Sequence, residues 1–228
     1  MIPAFYNTCN VLARGLAATL ADVDVAGLHH VPKHGPVILV SNHLNNVDPI
    51  LLAAFLPRPI HFLTKVELTS LPLVGTLARW YGAVPVRRGE LDRRAIDRTI
   101  ELLRAGEVVG VFPEGTRSRS GALKEPKPGL SLLAARSGAP LLPVAVWGSE
   151  KARGISIVWE HPRIHVRVGE PFVLPIRRRR EGHRDFTDQV MTHIARLLPP
   201  DYRGIYRDHP KVNGNHNDTK DTKNVLRN

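Results

Sequence analysis

The segment Asn42-His43-Leu44-Asn45-Asn46-Val47-Asp48 sets a histidine and a carboxylate in an H-x4-D spacing. It lies between the apolar run Val37–Val40 and a helix predicted to open at Asp48-Pro49. Histidine suits general-base work near neutral pH. It does so best when an acceptor on its other ring nitrogen sets the tautomer and stabilises the imidazolium. Residues five apart fall on different faces of a continuous helix, so Asp48 can serve His43 only if the loop bends back. The same string also reads as a surface-loop histidine followed by an aspartate that merely caps the helix.

A second group, Phe112-Pro113-Glu114-Gly115-Thr116-Arg117-Ser118, leaves a buried strand and presents a carboxylate, a glycine, two hydroxyls and a guanidinium. The fork of Arg117 matches phosphate oxygens, and Glu114 can accept from a substrate hydroxyl. Equally, Glu114 and Arg117 could simply pair with each other. Gly82–Gly89 is a strand ending in Arg87 and Arg88, and Ile60–Lys65 ends in another cation. Each of these is a phosphate subsite or a solvated strand end. Ala139–Trp147 is apolar throughout, as core or as an acyl-chain wall.

These groups need elements to hold them. Strands are expected at Val37–Val40, Ile60–Lys65, Ala83–Arg88, Val108–Phe112 and Leu141–Trp147, with another where Ile164, Val166 and Val168 alternate with polar residues. Helices are expected at Ile2–Leu20, from Asp48, at Asp92–Arg104, at Leu130–Arg136 and at Asp185–Leu198, the last with Phe186, Val190, Ile194 and Leu197 on one face. Alternating strands and helices predict an α/β domain with a mixed, largely parallel sheet flanked by helices. The carboxyl ends of such strands are where loops converge into sites. Residues 1–24 form an amphipathic helix, packed on the domain or lying on a membrane surface, with Asn7, Asn10 and Arg14 on its polar side. The domain spans 25–200, and 201–228 is a polar tail expected to be disordered.

Charge narrows the partners. Thirty-two basic residues against 21 acidic ones give +11, which favours nucleic acid, an acidic membrane surface or a phosphorylated substrate. Aromatics at 6% and the absence of any nucleic-acid module signature argue against nucleic acid. Cys9 is the only cysteine, so an intramolecular disulfide or Cys-rich zinc site is excluded. His29, His30 and His34 read as loop histidines and not as metal ligands, with no carboxylate between them. No apolar run approaches the ~20 residues of a membrane span, and no signal peptide is expected. Arg177–Arg180, with Arg184 nearby, is either a lipid-facing basic patch or a solvated loop.

In this order, Asn42-His43-x4-Asp48, Gly82–Arg88, Phe112–Ser118 and Ala139–Val146 resemble the motifs of the glycerolipid acyltransferases typified by 1-acyl-sn-glycerol-3-phosphate (lysophosphatidic acid) acyltransferases. Lys65 with the Pro72/Gly75 region, and Val168-Gly169-Glu170-Pro171, extend the likeness over Val25–Leu198. Asn45 stands where many members have serine, a tuning of the loop that leaves the catalytic pair in place.

The resemblance implies the glycerolipid acyltransferase fold and direct acyl transfer from acyl-CoA or acyl-carrier protein to a lysophospholipid hydroxyl, giving phosphatidate. Glycerol-3-phosphate, another lysophospholipid or an amino-lipid are alternative acceptors. It implies His43 as general base oriented by Asp48. It also implies Lys65, Arg87, Arg88, Glu114, Gly115, Thr116 and Arg117 as substrate- and phosphate-binding residues, with no metal and no cofactor. The place of work it implies is peripheral, on the cytoplasmic face of an anionic membrane.

Overall fold

The computed structural model describes residues 1–87, 92–127, 129–152, 154–175 and 180–213. Val37–Ser41 is buried along its whole length, which only a central strand covered on both faces permits. Around it, in chain order, lie α1 (Pro3–Leu20), β1 (Asp22–Ala26), β2 (Val37–Ser41), α2 (Asp48–Phe55) and β3 (Ile60–Lys65). Next come α3 (Val66–Ser70), α4 (Pro72–Tyr81), β4 (Val84–Val86), α5 (Arg93–Arg104), β5 (Val108–Val111) and α6 (Gly129–Ser137). The chain continues through β6 (Leu141–Trp147), α7 (Ile157–Glu160), β7 (Arg163–Val168), α8 (Arg180–Leu197) and α9 (Pro210–Asn213).

Among the described residues the strands form one seven-stranded sheet in the order β1-β7-β6-β2-β5-β3-β4. Every pair is parallel except β6 with β7. The sheet is therefore mixed and largely parallel, as expected. β2, β3, β4, β5 and β6 thus share one carboxyl edge, which carries the loops after Ser41, Lys65, Val86, Val111 and Trp147.

Two apolar cores fill the faces of the sheet. On one, Ile38, Val40, Val109 and Leu141 meet Ile100 and Leu103 of α5, Leu133 of α6, and Phe186, Val190 and Ile194 of α8. On the other, Leu39, Val108, Leu142 and Val144 meet Leu51 and Leu52 of α2 and Tyr6 of α1. Each fully buried aliphatic or aromatic side chain contributes about 1.5–3 kcal/mol. These cores hold the strand ends, and hence the loops, in fixed relation.

Three expectations are corrected. β1, where Val23 and Val25 alternate with aspartates, was not expected as a strand, and it places the boundary at residue 25 inside an edge strand paired with β7. In α1 the packed face runs through Tyr6 and Asn10, both buried, while Leu12 and Leu16 are exposed. Asn10 can sit inside because its Oδ1 accepts from the Tyr81 hydroxyl. Third, the chain after residue 200 remains folded as far as 213. Tyr206 is buried with its hydroxyl donating to Asp188, the Tyr202 hydroxyl donates to Glu150, and Val212 is buried. Those apolar and aromatic groups outweigh the polar composition around them. Residues 214–228 lie outside the described residues, as do Arg88, Arg177–Arg179 and the side chain of Arg180.

Candidate active site

β2 delivers Asn42 and His43 to the carboxyl edge. Asn42 acts as a clamp: its amide donates to Val146 O at 2.7 Å and its Oδ1 accepts from Val146 N at 2.8 Å. Both side-chain bonds land on β6, which fixes where the loop leaves the sheet. The loop then doubles back. His43 Nδ1 lies 2.9 Å from Asp48 Oδ2, and the same oxygen accepts the N–H groups of Leu44 and Asn45 at 2.7 Å each.

Asp48 is fully buried and its role differs from the capping reading. The residue preceding α2 is Val47, and the Asp48 carboxylate turns back into the loop instead of capping. With Nδ1 facing a carboxylate, the tautomer carrying its proton on Nδ1 is favoured, which leaves Nε2 as the acceptor. The imidazole also stacks on Phe112, with centroids 4.2 Å apart and planes 20° apart. Carboxylate and aromatic plane together set both the tilt and the orientation of the ring.

The loop after β5 closes the other side. Ser118 N donates to His43 O at 2.7 Å, and His43 N donates to Glu114 Oε1 at 3.2 Å. Glu114 is therefore committed to the His43 backbone and not to Arg117. Its Oε2, and Oδ1 of Asp48, are buried without a hydrogen bond from the protein. Gly115 takes a left-handed φ of 70° to make the turn, where a side chain would press on Lys127 Cγ at 3.1 Å. Lys124, which no motif singled out, reaches back to Thr116 Oγ1 at 3.1 Å and Arg117 O at 2.9 Å. Only folding of the 117–127 loop brings it there, so sequence spacing carried no signal for it.

Burial pushes the Glu114 carboxyl up to about 7, against the opposing pull of the His43 N–H and the Lys124 charge. Its ordinary value is 4.5, so between the two the folded chain binds this proton more tightly than the unfolded one. The stabilisation is complete below about pH 4.5 and is lost as pH rises through about 7. Glu114→Gln removes the titration. Calorimetry should show the variant's Tm gaining on wild type from pH 4.5 to about 7; a gap constant with pH would contradict this.

Of the other expected residues, Lys65 and Arg87 reach the same edge on adjacent strands, Lys65 pairing with Val86. Both side chains are exposed. Arg117 is exposed and lines a cleft of ≈ 480 Å³ with Leu44, Asn45, Ser118 and Glu150. Among the described residues, none of these three cations hydrogen-bonds His43 or Asp48. His29 and His30, by contrast, stack on each other at 4.0 Å, and His30 Nδ1 meets Val168 O at 2.9 Å.

A buried His–Asp pair at the carboxyl edge of a largely parallel sheet is an open α/β arrangement suited to proton transfer. The family model described as Acyltransferase matches residues 22–147. The chain belongs to that acyltransferase family. It is 32% identical over 155 residues to a chloroplastic 1-acyl-sn-glycerol-3-phosphate acyltransferase of Brassica napus, covering 65% of this chain and 44% of that protein. To the 1-acyl-sn-glycerol-3-phosphate acyltransferase of Bacillus subtilis it is 29% identical over 168 residues, covering 73% and 81%. It is 37% identical over 136 residues to the lyso-ornithine lipid O-acyltransferase of Pseudomonas aeruginosa, covering 59% and 51%. Among solved structures it resembles the 1-acyl-sn-glycerophosphate acyltransferase PlsC of Thermotoga maritima, with a TM-score of 0.65, 27% identity and coverage of 81% and 76%. The chain spans about half the length of several of the curated relatives it matches, 44% and 51% in two cases.

Proposed function

We propose that this chain transfers a fatty acyl group directly from a thioester, acyl-CoA or acyl-carrier protein, to the sn-2 hydroxyl of 1-acyl-glycerol-3-phosphate. The product is phosphatidate. The observation that carries the reading is the His43–Asp48 pair at 2.9 Å, with Nε2 left to accept a proton. His43 Nε2 takes the hydroxyl proton as the oxygen attacks the thioester carbonyl carbon. The tetrahedral intermediate then collapses with cleavage of the C–S bond, and the imidazolium returns the proton to the departing thiolate. Asp48 stabilises the imidazolium in between. Glu114 holds the His43 backbone through its Oε1, and Arg117, Arg87 and Lys65 offer positive charge to the phosphate. Proton movement rests on the chain's own side chains, so the reading calls for no cofactor beyond the donor thioester. The names of the Brassica, Bacillus and Thermotoga proteins support this acceptor; that of the Pseudomonas protein supports an amino-lipid as the second reading.

The test is free-thiol release from acyl-CoA in mixed micelles, with lysophosphatidate, glycerol-3-phosphate and a lyso-amino-lipid offered separately and the lipid product identified. Phosphatidate formed with lysophosphatidate supports the reading, and acylation of the amino-lipid alone replaces it with the second one. Silence with every acceptor, repeated with acyl-carrier-protein donors, would overturn both.

The acceptor lives in a bilayer, and we infer that the chain docks peripherally on an anionic surface, at the cytoplasmic face. Among the described residues no helix is long and apolar enough to cross a membrane. Val11, Leu12 and Leu16 of α1 and Leu73, Val74, Leu77 and Trp80 of α4 are nonetheless exposed. The two helices meet where Phe5 packs edge-on against Trp80 at 5.5 Å and Ile2 N donates to Trp80 O. Exposed apolar surface of this extent favours a lipid contact. Leu73→Asp is expected to reduce sedimentation with anionic vesicles at least severalfold with the Tm unchanged, since Leu73 is 71% exposed. Undiminished sedimentation would remove this face from the docking surface.

A further inference from the structure

Asn45 occupies the middle of the catalytic loop, and its side-chain amide nitrogen reaches out of that loop. Both hydrogens of its amide are spent on the turn that follows β6: Nδ2 donates to Ser149 O at 2.7 Å and to Ala152 O at 2.9 Å. Its Oδ1 faces the N–H of Val47 at 3.4 Å, and its own N–H goes to Asp48. One residue therefore joins the backbone that orients His43 to a segment more than a hundred positions away.

The two joined segments both line one cleft. Leu44 and Asn45 line it from the catalytic loop, Glu150, Ala152 and Gly154 from the turn, and Arg117 from the loop after β5. We propose that Asn45 is a positioning residue that sets the width of this cleft, and so determines which acceptor headgroup is accepted beside His43. The proposal rests on the acyltransfer reading and deepens it.

The chemistry singles out asparagine. Two carbonyl oxygens must be met by two N–H groups from one short side chain, which an amide supplies. A serine hydroxyl has one hydrogen to give and a shorter reach. It can tie the turn once at most. Aspartate has the shape of asparagine but only accepts, so it would set a carboxylate against two carbonyl oxygens and push the turn away. Neither change touches the Asn45 N–H, so the backbone grip on Asp48 survives both.

Two measurements on wild type, Asn45→Ser and Asn45→Asp test this. The first is hydrogen exchange at Lys151 and Ala152, whose N–H groups close the turn onto Gly148 and Ser149 carbonyls. It is expected to quicken at least tenfold in Asn45→Asp and less in Asn45→Ser. The second is the ratio of kcat/KM for lysophosphatidate to that for glycerol-3-phosphate and for a lyso-amino-lipid. At least one ratio is expected to shift fivefold or more, chiefly through KM. A residue that only stabilised the fold would lower Tm and scale all acceptors alike. Unchanged exchange in Asn45→Asp overturns the strut, and ratios constant within twofold overturn the selectivity role. Failure of wild type itself to turn over any acceptor would overturn the acyltransfer reading, and the selectivity role with it, a result visible without any variant.

Discussion

His43→Ala is expected to lower kcat for thiol release by about 10²–10⁴-fold, the range that a positioned general base supplies. The loss should fall on kcat with KM for the acceptor little changed, because the imidazole takes its proton only as the transition state forms. Two anchors of the loop do not use the imidazole and survive the change. Ser118 still donates to the carbonyl of residue 43, and Leu44 and Asn45 still donate to Asp48. Circular dichroism and Tm should therefore stay close to wild type, apart from the lost stack on Phe112. A variant that keeps its fold and retains kcat within tenfold of wild type would remove His43 from the role of base. One that loses kcat and raises KM in equal measure would point to a binding role instead.

The parts of this site differ in how far sequence reveals them. β2, β5 and β6 were legible because their residues are apolar almost without interruption, as strands buried on both faces must be. The strand ends then located His43, Lys65, Arg87 and Glu114 on one edge, since parallel strands expose their exits together. Edge strand β1 has only two valines to betray it. Spacing alone left orientation open. Asp48 precedes a proline at a helix start, where a capping aspartate is ordinary, and its choice of the His43 ring depends on the loop's return path. Glu114 beside Arg117 looked like a local ion pair, but the strand exit turns the carboxylate toward the His43 N–H. Lys124 and the 148–152 turn reach the site only through long-range folding, and no spacing rule spans such distances. The side-chain chemistry was local in sequence; the partners were not.

Asp48→Asn separates the two tasks of the buried carboxylate. An asparagine Oδ1 can stay where Oδ2 sits and keep the Leu44 and Asn45 N–H groups satisfied, so the loop should persist. The negative charge that stabilises the imidazolium is lost, while Oδ1 in that position still accepts from Nδ1–H and keeps the tautomer. The expected result is a kcat loss comparable to that of His43→Ala, at ~10²–10⁴-fold, with a smaller loss of Tm than in Asp48→Ala. Asp48→Ala should behave differently. It leaves two buried backbone donors and the ring N–H unpaired, each costing about 1–3 kcal/mol, so its Tm should fall markedly as well. If Asp48→Asn also loses its Tm while Asp48→Ala is no worse, the carboxylate acts chiefly as scaffold. If Asp48→Asn retains wild-type kcat, the charge does not matter, and holding the ring is all that Asp48 does for His43.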